Sequence, residues 1–306
     1  MKVMSSVIGI FIILSLLITM PAGCSQQSLP ATFTDDMGRE VTIERVPERI
    51  VSHVPSITET LFALGLGERV VGVSDYCNYP EAAKLKPKVG NYYNPSIERI
   101  VALNPDLVLT DGFSQSIIQL DSLGISYVVL NPKDIDGIFK DIELLGKITG
   151  REKEARKLIE DMQNRMLDVS TRVKGAPRVK VFYIFDITDL NNPWTAGPGS
   201  FVDSLITMAG GENIVQAQGA WLQYSIEKAA DSDPEVIIVD TSHGSAIVSL
   251  EGLKAQLRGH PAWQEITAVK QDRICPIDGD LLNRPGPRII QGLEEIAKII
   301  HPELFK

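Results

Sequence analysis

The residues from Arg151 to Val173, REKEARKLIEDMQNRMLDVSTRV, contain no glycine or proline and repeat their apolar positions at three- and four-residue steps. Leu158, Ile159, Met162, Met166 and Val169 line one face, while Glu152, Lys153, Glu154, Arg156, Lys157, Glu160 and Asp161 fill the others. The pattern predicts one helix of about six turns. Gly150 stops the run before it, and Gly175 and Pro177 end it. By itself this describes either an ordinary surface helix or a strut between two bodies. The sequence on its two sides favours the strut.

Ser56, Leu61, Gly67, Glu68 and Val70 in SITETLFALGLGERV recur at one fixed offset as Ser200, Leu205, Gly211, Glu212 and Ile214 in SFVDSLITMAGGENI. Tyr92, Ser96, Ile97, Glu98 and Pro105 recur at a second offset as Trp221, Ser225, Ile226, Glu227 and Pro234. One shorter loop reconciles the two offsets, so the chain reads as two homologous lobes. After an opening hairpin over Thr32 to Ile43, strands are expected at 50–53, 69–73, 107–110 and 126–130. Helices are expected at 57–64, 96–103, 114–123 and 134–149. The second half repeats the order, with strands at 178–185, 213–215, 236–240 and 273–276 and helices at 201–209, 226–232, 250–257 and 288–300. Such alternation predicts an α/β protein, two lobes of parallel-type sheet flanked by helices and joined by one long rigid helix. The expected boundaries are 35–150 for the N-terminal lobe, 151–173 for the connecting helix and 174–306 for the C-terminal lobe.

Lys2, the apolar run from Val7 to Met20, and Pro21-Ala22-Gly23-Cys24 resemble a bacterial lipoprotein signal peptide over residues 1–23, although Pro21 stands where leucine is usual. Cleavage would leave a lipidated Cys24, with 24–34 as a tether to the outer face of the membrane. Thirty basic side chains against 39 acidic ones give a net charge of −9, which argues against nucleic acid as a partner. Cys77 and Cys275, one in each lobe, read as free thiols, because a disulfide would require their Cα atoms within about 7 Å.

In parallel sheets ligands bind beyond the carboxyl ends of the strands. The loops expected there carry Tyr76, Tyr79, Tyr92, Tyr93, Trp194, Trp221 and Tyr224. Tyr92 and Trp221 hold equivalent repeat positions, each six residues before a glutamate, and with Tyr76 and Trp194 they offer flat walls to a large flat ligand. Folding of such side chains onto the core is the alternative for each. Asp280 and Arg284 in GDLLNRPGPR supply an acceptor and a planar fork of donors, or else a mutual surface ion pair. Glu98 and Glu227 open their helices, where the helix dipole favours carboxylates, yet each lobe keeps one at the same place. His53 and His243 end strands and come within reach of the cleft. His260 and His301 flank helices, which leaves no three-histidine metal site. Gly197, Gly199 and Ser200 form no nucleophile elbow and suit a helix cap instead.

RIVSHVPSITETLFALGLGERVVGVSDYCNYP, IERIVALNPDLVL, TAGPGSFVDSLITMAGGEN and RPGPRI together resemble the substrate-binding proteins of ABC importers for vitamin B12, ferric siderophores and haem. The resemblance spans nearly the whole chain beyond the signal and is nearest to the vitamin B12 branch. It implies a class III periplasmic-binding-protein fold with a shallow, rigid cleft, working as a monomer beside an ABC permease dimer and its ATPase subunits. It further implies that Tyr76, Tyr92, Trp194 and Trp221 surround a cobalamin or related corrinoid, that Asp280 and Arg284 make polar contacts to it, and that Glu98 and Glu227 dock the permease. A tryptophan of the family pattern is missing near Asp111, with Phe113 the nearest substitute. Charge favours the corrinoid, whose ring is edged with neutral amides. Ferric siderophores are often anionic and haem carries propionates, for which these loops offer chiefly Arg284. A siderophore or haem binder is the alternative within the family, and an exported enzyme acting in the cleft the alternative outside it. No nucleophile and base at recognisable spacing support the enzyme.

Overall fold

The computed structural model describes residues 29–242 and 249–306. The chain opens with an antiparallel hairpin, β1 (Ala31–Thr34) and β2 (Glu40–Ile43), paired Thr34 to Glu40 at its closed end. Asp35 holds the turn, accepting from the Met37 and Arg39 amides at 3.0 Å and from the Arg39 guanidinium at 2.7 Å. The Val129 amide also donates to Asp35, which pins the hairpin to the first lobe.

Each lobe is built on a four-stranded parallel sheet. In the first, β3 (Ile50–Ser52), β4 (Val70–Val73), β5 (Leu107–Thr110) and β6 (Tyr127–Val129) stand in the order β4-β3-β5-β6. The second lobe holds β7 (Val179–Ile184), then the short β8 (Trp194–Ala196), β9 (Gly211–Asn213), β10 (Trp221–Gln223), β11 (Val236–Asp240) and β12 (Ile274–Ile277). Its parallel sheet runs β9-β7-β11-β12, the same order with each strand replaced by its repeat counterpart. All eight strands pair in parallel, and β3, β5 and β11 are buried along their whole length because both of their faces are covered.

The predicted strut is the helix Glu152–Val173, with Ala155, Met162 and Val169 buried at seven-residue steps. It follows the helix Ile135–Thr149 after a sharp reversal at Gly150, whose φ of 70° and ψ of 31° is a left-handed conformation that glycine adopts without strain. The strut packs against Ile135–Thr149 of the first lobe and Ile289–Ile300 of the second. Arg165 clasps Glu294 of the latter through two hydrogen bonds of 2.8 Å. One apolar cluster runs from Ile50 and Leu61 through Ile142, Met162 and Val169 to Leu293 and Ile296, so the lobes share a core.

Several expectations shift. The second-lobe strand expected at 213–215 lies at Gly211–Asn213, because the Asn213 side chain turns inward to donate to the Ala196 carbonyl and the Asp203 carboxylate, both at 2.9 Å. The helix expected over 114–123 is a 3-10 turn, Gln115–Ile118, running into one α turn, Gln119–Ser122, with Ile117 and Leu120 buried three apart. Strands β8 and β10 fall where loops were expected. Tyr224 is a core residue, 6.0 Å from Phe182, rather than a loop aromatic. Ser200 caps the helix Phe201–Met208, accepting from the Asp203 amide at 3.1 Å, as expected of it. Cys77 and Cys275 are free thiols. Cys24, His243 and the signal segment lie outside the described residues.

Candidate functional site

The carboxyl ends of the parallel strands in both lobes open onto one set of loops. In the first lobe, β3 delivers His53, fully buried, with Nε2 3.0 Å from the Asn91 carbonyl oxygen and Nδ1 meeting no partner. Burial holds its pKa below the usual imidazole value. The Tyr92 ring lies parallel to it at 6.3 Å. Phe113 stacks on Tyr92 from beyond β5 at 5.3 Å, and Tyr93 meets both edge-on at 5.2 and 5.7 Å. The Tyr92 hydroxyl donates to the Asp111 carboxylate; burial and that carboxylate push the phenol well above its ordinary pKa. Phe113, 57% exposed, joins this cluster.

In the second lobe the aromatic wall is a two-stranded antiparallel ribbon. Strand β8 pairs with β10 in a register that sets Trp221 opposite Ala196 and Trp194 opposite Gln223. Positions two apart on a strand share a face, so both tryptophans stand diagonally on the same side of the ribbon. Each is 43% exposed. Trp221 rests on Phe185 at 5.1 Å and on Tyr183 at 6.4 Å, and the Tyr183 hydroxyl donates to the buried Asp240 at 3.0 Å. The main chain of Trp194 pairs with Asp186 and Phe185 at 2.8 Å, which ties the ribbon to the end of β7.

Asp280 and Arg284 sit where the lobes meet. They form the mutual ion pair of the alternative reading, at 2.6 Å, but with the two side chains 11% and 10% exposed it is a mostly buried pair and not a surface one. Across the seam, Arg284 donates to the Asn78 side-chain oxygen at 2.7 Å, to Glu59 at 3.1 Å and to the Tyr76 carbonyl at 3.5 Å. Asn78 returns a hydrogen bond to Asp280 at 3.1 Å. Glu59, 3% exposed, also accepts from Arg288 at 2.8 and 2.7 Å, and Arg288 lies 4.1 Å over the Tyr79 ring. Gly286 lets the RPGPR turn press on the first lobe; a methyl group there would meet the Ser56 carbonyl oxygen at 3.0 Å. Tyr76, half exposed, leads the loop that this cluster anchors.

Sequence reasoning missed Glu59, Asn78, Asp111, Phe185 and Arg288. Glu59 lies in SITETLFA between the apolar Ile57 and Leu61, where a carboxylate is costly if buried unless paired, and that was the available signal. Its partners lie more than two hundred residues away in the chain. Glu98 and Glu227 are exposed in the first turns of the helices Ile97–Ala102 and Ile226–Ser232. Ser96 caps the first, accepting from the Arg99 amide at 3.3 Å, while the Ser225 hydroxyl donates to Glu227 and lowers its pKa. Among the described residues, no group of histidine, cysteine and carboxylate side chains is arranged to hold a metal ion.

Two equivalent lobes of parallel sheet, a helical strut between them and aromatic loops at the seam define a two-lobed binding protein. Residues 50–281 match the periplasmic binding protein family, and the chain belongs to it. It is 33% identical to an uncharacterized ABC transporter substrate-binding lipoprotein of Bacillus subtilis, YvrC, over 97% of this chain and 98% of that relative. The crystal structure of the periplasmic vitamin B12-binding protein BtuF of Vibrio cholerae superposes with a TM-score of 0.70 at 28% identity, covering 85% of this chain and 98% of that one. The periplasmic haem-binding protein RhuT of a Roseiflexus species gives 0.74 at 27% identity, covering 84% and 99%. The chain is accordingly a substrate-binding protein of an ABC transporter, acting outside the cytoplasm.

Proposed function

We propose that this protein captures cobalamin or a closely related corrinoid between its lobes and hands it to an ABC permease, without catalysing a reaction. The observation that carries this reading is the pair of aromatic surfaces. Tyr92, Tyr93 and Phe113, with the buried His53 behind Tyr92, form one in the first lobe, and Trp194 and Trp221 the other in the second. A corrin is broad, flat and rimmed with neutral amides, and aromatic faces supply contact area at little entropic cost. In this reading Tyr76, Tyr92, Phe113, Trp194 and Trp221 touch the ligand, Asp280 and Arg284 hold the rim through hydrogen bonds, and His53 backs Tyr92. His243 and the lipidated Cys24 complete the scheme, the latter anchoring the chain to the membrane by the 24–34 tether. The two lobes, 35–150 and 174–306, act as one rigid unit about the 151–173 helix and dock the permease through Glu98 and Glu227.

The similarity to a haem-binding protein keeps a haem or ferric siderophore as the second reading. Calorimetric titration of the purified full chain with cyanocobalamin, haemin and a ferric hydroxamate separates them. The expected result is one cyanocobalamin per chain with the strongest affinity of the three. Tighter binding of haemin or the ferric chelate would replace the corrinoid reading, and turnover of any ligand would overturn the non-catalytic one.

A further inference from the structure

The seam beneath the aromatic walls is polar, and its charges are closed upon themselves. Glu59 and Asp280 contribute two negative charges, and Arg284 and Arg288 two positive ones. Every one of the four is mostly buried, with side-chain exposures of 2%, 10%, 11% and 11%. Lys88, another basic side chain at these loops, is held by the Ser74 and Cys77 carbonyls at 3.4 and 3.2 Å. Asp75, Asp111 and Asp278 stand in the same loops and add negative charge. An anionic ligand arriving here finds both guanidinium charges already neutralised. A neutral one meets hydrogen-bonding groups whose two guanidinium and two carboxylate charges cancel.

We infer that Glu59 is the residue that sets this selectivity: by neutralising Arg284 and Arg288 from below, it keeps the site from taking anionic macrocycles and leaves it to neutral, amide-rimmed ones. The inference rests on the corrinoid reading and deepens it. Glu59 touches no ligand in this scheme; it acts through the two arginines. Three of its contacts come from the opposite lobe, from Arg284 Nη1 at 3.1 Å and from Arg288 Nε and Nη2 at 2.8 and 2.7 Å. Loss of its charge leaves the cluster at plus one in a poorly solvated place, where the field on a nearby carboxylate is least screened.

The test compares haemin, which carries two propionates, with cyanocobalamin on the full chain and on three variants. In the wild type, cyanocobalamin binds more tightly. Glu59→Gln is expected to move the haemin-to-cobalamin affinity ratio about ten-fold or more toward haemin. Glu59→Asp, which keeps the charge, returns the ratio toward the wild type. Arg288→Gln, which removes a positive charge instead, moves it the opposite way and keeps the question decidable if Glu59→Gln fails to fold. A ratio unchanged in folded Glu59→Gln, or changed alike in Glu59→Asp, makes Glu59 a structural clamp and overturns the inference while leaving the corrinoid reading intact. A wild type that prefers haemin overturns both.

Discussion

Trp221 has Phe185 and Tyr183 behind it and nearly half of its surface in front. A side chain so braced loses little freedom when a ligand covers it, which is the usual position of an interface anchor. Trp221→Ala is expected to weaken cyanocobalamin binding by about 1–3 kcal/mol. Unchanged affinity by calorimetry removes Trp221 from the site. Asp141 is a different kind of residue, buried on the helix Ile135–Thr149 beside a small cavity that Thr60, Pro132 and Pro285 help line. Burial first, and the Asp36 carboxylate second, push its pKa up to about 8. The folded chain therefore keeps a proton that the unfolded chain releases near pH 4, and folding stability falls as pH rises from about 4 toward 8. Asp141→Asn is expected to raise Tm at pH 8 and to change it little at pH 4. Parallel Tm-pH curves for the two proteins would show that Asp141 is ionised in the fold.

At the scale of elements, the long helix was legible because its apolar positions recur over many turns without interruption. The β8-β10 ribbon was not legible. Three residues per strand carry no period, and Trp194 meets Gln223 only after the helix Phe201–Met208 and β9 have intervened. The reversal at Gly150 shows how one residue joins two helices at the angle that puts the strut against the lobe. Gly150→Ala forces a Cβ into a left-handed conformation at a cost of about 1–2 kcal/mol. The expected outcome is a lower Tm with ligand affinity retained; an unaltered Tm would mean that the turn relaxes to another conformation.

For the whole molecule, the shared apolar core and the uninterrupted strut oppose lobe closure. Small-angle scattering with and without cyanocobalamin is expected to give nearly the same radius of gyration, whereas a contraction of several ångströms contradicts the rigid-strut view. Glu98 and Glu227 also belong at this scale, since one exposed carboxylate on each pseudo-equivalent lobe suits a two-fold receptor that presents arginines. Replacing both by glutamine is expected to leave ligand affinity nearly intact and to abolish transport when the protein is reconstituted with its permease. Survival of transport with a loss of thermal stability would make them helix-end charges and nothing more.

Sequence alone determined the two lobes, their alternating strands and helices and the strut, because periodicity and glycine and proline stops are written within short windows of the chain and the repeat is visible by comparing its two halves. That both sheets share one strand order came from the structure. What only the tertiary structure decided is which side chains meet. Tyr92 finds Phe113 and Asp111, the two tryptophans come to share one face of a ribbon, Tyr224 turns into the core, and Asp280 and Arg284 lock to Asn78 and Glu59 across the seam. Those pairings join residues far apart in sequence, and a buried charge such as Glu59 is tolerable only once the arginines of the other lobe arrive, so no local window contains the reason for them.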